Sequence, residues 1–252
     1  MDFLCKICSF PAELLSRVPG IGPIVKTCCT TVGQKILMAL TGLALVGFLV
    51  AHLAGNLLLY AGEEKFNEYA EQLHNLGPLL WAAETGLFAT FMAHMCLAIS
   101  TAAISKRARR RKYAESDTKQ DSNVMLGGGA SNWMLPTGLL IFLFLVLHIA
   151  DMKFNVRACL GWADFKHGEE NLFAHVKDVL NDPIAKGVYI LGLLALGLHL
   201  SHGISSAVQT LGINHSRWNG IIKFVGAAFA WLLAAGFLSL VVWAWNAAAS
   251  GH

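Results

Sequence analysis

The sequence predicts an all-α integral membrane protein with five transmembrane helices, the first four packed as a bundle. Three observations predict it. The 252-residue chain is 55% hydrophobic with a mean hydropathy of +0.53, and only 14% of its residues are charged, which excludes an ordinary soluble domain. Five apolar stretches reach the about 20 residues that a helix needs to cross about 30 Å of hydrocarbon. The charge bias of the connecting segments alternates from basic to acidic, as repeated crossing of a bilayer requires.

In chain order, residues 1–33 form an N-terminal segment of alternating charge, proline and glycine. They lack a short apolar core followed by small residues, so no removable signal peptide is expected and the first span stays in the chain. Four of the six cysteines lie here: Cys5, Cys8, Cys28 and Cys29. Cys5-x-x-Cys8 has metal or redox spacing, but no second pair or adjacent histidine completes a site, and the role read for it is structural or incidental. Residues 34–246 form the transmembrane domain, with spans at 35–60, 79–105, 133–154, 184–211 and 221–245, and 247–252 form a short tail.

Orientation follows from the basic residues. The loop 106–132 opens with Lys106-Arg107-Ala108-Arg109-Arg110-Arg111-Lys112 and is therefore cytoplasmic. The same side receives Lys6, Arg17, Lys26 and Lys35 before or at the start of the first span and Arg217 and Lys223 around the start of the fifth. The opposite loops carry Glu63, Glu64, Glu68 and Glu71, then Asp164, Glu169, Glu170, Asp178 and Asp182. The N-terminus is thus cytoplasmic and the C-terminus outside. The outer loop 155–183 is long enough for a short helix around 171–180 that caps the outer surface. Trp133, Trp218, Trp243 and Trp245 fall near span ends, where indoles anchor at the interface. The net charge of +3 matters less than its placement, and no nucleic-acid partner is expected.

Four of the five spans carry histidine, which is costly in a bilayer core and normally has a partner or a function. Two of them repeat one pattern: Thr41-Gly42-Leu43 leads through Phe48-Leu49-Val50 to His52, and Thr137-Gly138-Leu139 leads through Phe144-Leu145-Val146 to His148 at identical spacing. The first and third spans both run outward, and each histidine lies about 8 residues, or about 12 Å, from the outer end. The second and fourth spans run inward, and His94 and His199 lie about 17 Å from the inner surface. Two levels result, each with two imidazoles from parallel helices. A bare metal normally asks for a third or fourth ligand, and none is visible, whereas bis-histidine ligation holds an iron porphyrin with no open position, suited to electron transfer. The expectation is two haem b groups, the iron of one bound by His52 and His148 and that of the other by His94 and His199. Small residues near these histidines, Gly47, Ala51, Gly55, Ala93 and Gly197, either leave room for a flat macrocycle or mediate ordinary helix contacts. From spacing alone either His199 or His202 can be the ligand; His199 is preferred because it ends the apolar run from Leu191 to Leu198.

These features together resemble the two-haem cytochrome b membrane anchor of succinate:quinone oxidoreductases, including quinol:fumarate reductases. The resemblance covers nearly all the chain from Gly33 onward. It rests on five spans with a histidine in each of the first four, on His52-Leu53 leading through Asn56 to Gly62-Glu63-Glu64-Lys65-Phe66-Asn67, and on His94, His148-Ile149-Ala150-Asp151 and His199-Leu200-x-x-Gly203. It implies that His52 and His148 hold the distal haem and His94 and His199 the proximal one, the pairing reached from depth. It also implies two partners on the cytoplasmic face, a flavoprotein with FAD that interconverts succinate and fumarate and an iron–sulfur subunit, in the inner membrane of a prokaryote. A membrane quinone, by this resemblance menaquinone, would react near the distal haem. The matching stretch, Glu71-Gln72-Leu73-His74-Asn75-Leu76-Gly77, offers Glu71 and His74 for proton handling; its plain alternative is a solvated polar loop. His202, Ser205 and Trp133 are candidates to contact propionates of the proximal haem. Two other classes fit less well: a cytochrome b of a hydrogenase, formate dehydrogenase or bc-type complex, the last of which places paired histidines about four turns apart on single helices, and a non-redox transporter or anchor whose histidines only pack or relay protons.

Overall fold

A computed structural model of the chain describes residues 30–108, 133–163, 165 and 171–249. Of these residues 87% are helical, and no strand occurs among them. The four N-terminal cysteines and Arg109–Lys112 of the basic run lie outside the described residues.

Helix α1 (Thr31–Asn56) starts where Thr30 accepts a hydrogen bond from Gly33 N at 3.0 Å, and a 3-10 turn over Leu57–Ala61 extends it. Gly62, at φ 99°, turns the chain into α2 (Glu63–His74), whose first-turn Glu63 and Glu64 complement the helix dipole. Then follow α3 (Pro78–Ala108), α4 (Met134–Met152), the single turn α5 (Val156–Cys159), α6 (Leu172–Asn181), α7 (Pro183–Thr210) and α8 (Asn219–Ala249). α1 with its 3-10 extension, α3, α4, α7 and α8 are long and apolar enough to cross a membrane. The boundaries of the five expected spans agree to within a few residues. The short outer helix read around 171–180 is α6. Of the stretch 71–77, residues 75–77 form a turn and residues 71–74 are the end of α2, because Phe66, Tyr69 and Leu73 recur at helical spacing within an otherwise polar run.

α7 is the hub. It packs against α8, α4 and α1, while α1 also packs along α3, and α3 touches α4 only sparsely. The helices α1, α3, α4 and α7 therefore form a ring in which α1 stands diagonally from α4 and α3 from α7. Glycines set the closest approaches: a Cβ on Gly192 would stand 2.5 Å from Phe144 Cγ, one on Gly197 2.9 Å from Trp231, and one on Gly236 2.7 Å from Leu53 Cδ2. Gly197 is thus a contact glycine between α7 and α8, and Gly55 fits under Tyr69, whereas Gly47 has nothing within 4 Å.

One end of the ring is capped. Asn67 on α2 donates to Asn171 Oδ1 at 3.1 Å and accepts from Phe173 N at 3.0 Å, and Phe66 lies edge-on to Phe173. Asn171 also caps α6, accepting from Ala174 N at 3.1 Å. Lys153 and Glu84 form an ion pair that ties the ends of α4 and α3 there.

Candidate functional site

The chain places its histidines at two levels of the ring. Near the capped end, His52 of α1 and His148 of α4 face each other across the diagonal with ring centroids 5.9 Å apart and planes at 86°. Phe48 stacks on His52 one helical turn earlier, at 5.3 Å, and Phe237 of α8 covers it at 5.8 Å. Phe144 packs on His148 at 5.7 Å, so the Phe-Leu-Val of each sequence copy brings its phenylalanine against the histidine that follows. Asn56 Nδ2 donates to the His52 carbonyl at 2.8 Å and lies 3.5 Å from both ring nitrogens. His148 Nδ1 stands 2.9 Å from the Tyr189 hydroxyl of α7, and Tyr189 is buried.

The second level lies toward the other end. His94 of α3 has its Nδ1 3.1 Å from Thr41 Oγ1 of α1, and His199 of α7 has its Nδ1 3.1 Å from Thr137 Oγ1 of α4. His94 and His199 are within electrostatic reach of each other. The Thr-Gly at the head of each sequence copy therefore lies against a histidine of this level, while the histidine at its tail belongs to the other. A Cβ on Gly42 would come within 3.1 Å of His94 Cε1, and one on Gly138 within 3.4 Å of His199 Cε1.

His202 lies one turn beyond His199 and is half-buried, with Lys223 of α8 within electrostatic reach. Ser205 is buried and donates to the His202 carbonyl at 3.0 Å. Trp133 precedes α4, and its carbonyl accepts the Thr137 hydroxyl at 2.6 Å. Glu71 and His74 lie on exposed surface of α2 at the capped end, and His74 Nδ1 donates to the Ala70 carbonyl at 3.2 Å.

Sequence reasoning missed a buried ionic group at the capped end. Asp151, one turn after His148, is fully buried and accepts three hydrogen bonds from Arg157, at 2.9, 3.0 and 2.7 Å. The same guanidinium reaches Asp182 Oδ1 at 2.8 Å, and Asp182 caps α7 by accepting from Ala185 N. The hydrogen bonds that Arg157 donates to Asp151 raise the Arg157 pKa above its ordinary value, so the group stays charged. His175 Nε2 donates to the Asp151 carbonyl at 3.0 Å. The available signal was Asp151 itself, a carboxylate ending an apolar span.

Each level offers two imidazoles, and among the described residues no three of His, Cys, Asp and Glu gather around a metal position. Two imidazole nitrogens would suit a metal that brings its remaining ligands with it, as a porphyrin does. The 5.9 Å between His52 and His148 also suits one metal held by imidazole nitrogens at about 2.0–2.1 Å each. The residues present therefore fit haem.

No protein-family model and no solved structure matches the chain. Over 182 residues, 70% of this chain and 78% of the relative, it is 26% identical to the succinate dehydrogenase cytochrome b558 subunit of Bacillus subtilis (strain 168).

Proposed function

We propose that this chain is the membrane-anchoring cytochrome b of a succinate:quinone oxidoreductase or quinol:fumarate reductase, carrying electrons between a cytoplasmic iron–sulfur and flavoprotein pair and a membrane quinone. The observation that carries the proposal is the meeting of His52 and His148 across the ring diagonal, with His94 and His199 seated on Thr41 and Thr137 at a second level. The name of the Bacillus relative supports a haem b-binding subunit of succinate dehydrogenase, and with it flavoprotein and iron–sulfur partners.

Two haem b groups are assigned, one to His52 and His148 and one to His94 and His199; a bis-histidine haem supplies a one-electron carrier with no open coordination position. Two stacked levels give a path along the membrane normal. The capped end, with α2 and α6, is the outer side, and the end carrying Lys106 and Arg107 faces the cytoplasm and the partner subunits. The quinone, menaquinone in this reading, takes two electrons and two protons to become the quinol. Glu71 and His74, exposed on α2, handle those protons at the outer end. His202, Ser205 and Trp133 are assigned to propionates of the inner haem.

Purifying the chain together with its partner subunits and recording a reduced-minus-oxidised spectrum tests this reading. A b-type spectrum with two haems per chain is expected. A colourless protein, or one haem per chain, contradicts it.

A further inference from the structure

We infer that Thr41 and Thr137 are positioning residues that fix the tautomer of His94 and His199, keeping the proton on Nδ1 and leaving Nε2 as the bare lone pair that binds iron. This rests on reading those histidines as axial ligands of one haem.

Each threonine hydroxyl has one proton to place. Thr41 Oγ1 stands 2.8 Å from the Leu37 carbonyl and 3.1 Å from that of Met38, and Thr137 Oγ1 stands 2.6 Å from the Trp133 carbonyl and 3.2 Å from that of Met134. Carbonyls only accept, so each hydroxyl proton is held by its own helix. What each hydroxyl turns toward the imidazole 3.1 Å away is a lone pair. An acceptor facing the ring requires that ring to donate, and Nδ1 is the atom in range. A hydrogen bond that fixes tautomer and ring orientation also raises the basicity of the ligating nitrogen.

The glycine that follows each threonine completes the seat, since a side chain there would press on Cε1 of the same ring. Both seats have the same chemistry and the same distance, although they join different helix pairs, α1 to α3 and α4 to α7. The repeated stretch thus serves both levels: its histidine belongs to one haem and its Thr-Gly, 11 residues earlier or about 16 Å along the helix, holds a ligand of the other. The level near the capped end is built differently, with Tyr189 at His148 and Asn56 at His52.

The test is an optical redox titration of Thr41→Val and Thr137→Val in the assembled complex, each beside its Thr→Ser counterpart. Valine keeps the shape and removes the acceptor. Losing an acceptor at Nδ1 weakens electron donation to ferric iron, so the midpoint of the haem bound by His94 and His199 should rise. The expected size is about tenfold in its oxidised-to-reduced ratio, about 59 mV for one electron. Both valine variants should move this same haem, the serine variants should restore it, and the haem bound by His52 and His148 should stay put. Loss of that one haem in a valine variant, restored by serine, is the same result in stronger form. A general disturbance of α1 or α4 would instead move the haem bound by His52 and His148, whose ligands those helices carry; that outcome, or unchanged midpoints, overturns the inference. If a valine variant does not accumulate, Thr→Cys, a weaker acceptor, should give a smaller shift in the same direction, and no shift again overturns it. A wild-type complex without two haems would sink the ligand assignment itself, a separate failure.

Discussion

Arg157 grips Asp151 through both Nε and Nη2 at a depth where Asp151 is fully buried and Arg157 is 7% exposed. The pair joins the end of α4 to the turn that follows, and Asp182 brings the start of α7 to the same guanidinium. Because α4 carries His148 and α7 carries Tyr189, this ionic group holds the two helices that meet at the capped level.

Removing one partner of a buried pair leaves the other charge uncompensated. Arg157→Met should therefore destabilise the chain by about 3–5 kcal/mol, read as a lower unfolding midpoint in detergent. Asp151→Asn combined with Arg157→Met should recover part of the loss, since the stranded carboxylate is gone. A loss in the double variant equal to the sum of the Arg157→Met and Asp151→Asn losses would show that the pair is not coupled. The pKa of Arg157 is raised, so its contribution is fully present below the ordinary guanidinium value and is lost only as pH rises beyond the folded one. The Arg157 contribution should accordingly be constant across the neutral range.

Gly192 lets α4 and α7 come together where Phe144 packs on both His148 and Tyr189. A methyl at Gly192 would meet the base of the Phe144 side chain at 2.5–2.7 Å, atoms that cannot swing away as a flexible tip would. Gly192→Ala should cost about 1–3 kcal/mol and shift the spectrum of the haem at His52 and His148 alone. Gly47→Ala, with nothing within 4 Å of the added Cβ, should leave helix packing unchanged. Thermal unfolding followed at the Soret band separates the two.

His202 and His199 lie one turn apart on α7, but only His199 is seated by a threonine of α4. His202→Ala should keep both haems, while His199→Ala should lose one. Haem content measured as the pyridine haemochrome decides this, and loss of a haem in His202→Ala would reverse the assignment.

Much of the arrangement was legible in the sequence because an imidazole in an apolar span is a discrete anomaly whose depth can be counted. His52 and His148, matched by depth, meet at 5.9 Å. The spans were legible for the same reason, since hydropathy integrates over some twenty residues. What was not legible depends on partners far apart in sequence or on a signal spread thin. Thr41 and Thr137 stood in plain view in the repeat, yet a threonine in an apolar helix commonly bonds its own backbone, and only the neighbouring helix shows what its lone pair meets. Arg157 lay in a loop counted for its length, and its bond to Asp151 exists because the chain turns back through α5. In α2 the large apolar residues were outweighed by the surrounding charge until Phe173 of α6 and Gly55 of α1 supplied what Phe66 and Tyr69 pack on.

The central claim is that four histidines form two ligand pairs, each across a ring diagonal. Single His→Ala replacements at His52, His94, His148 and His199, each scored by redox titration of the haem that remains, test it most directly. His52→Ala and His148→Ala should leave one identical haem, and His94→Ala and His199→Ala should leave the other. If His52→Ala and His94→Ala leave the same haem, the pairing follows neighbouring helices rather than diagonals, and the account is wrong.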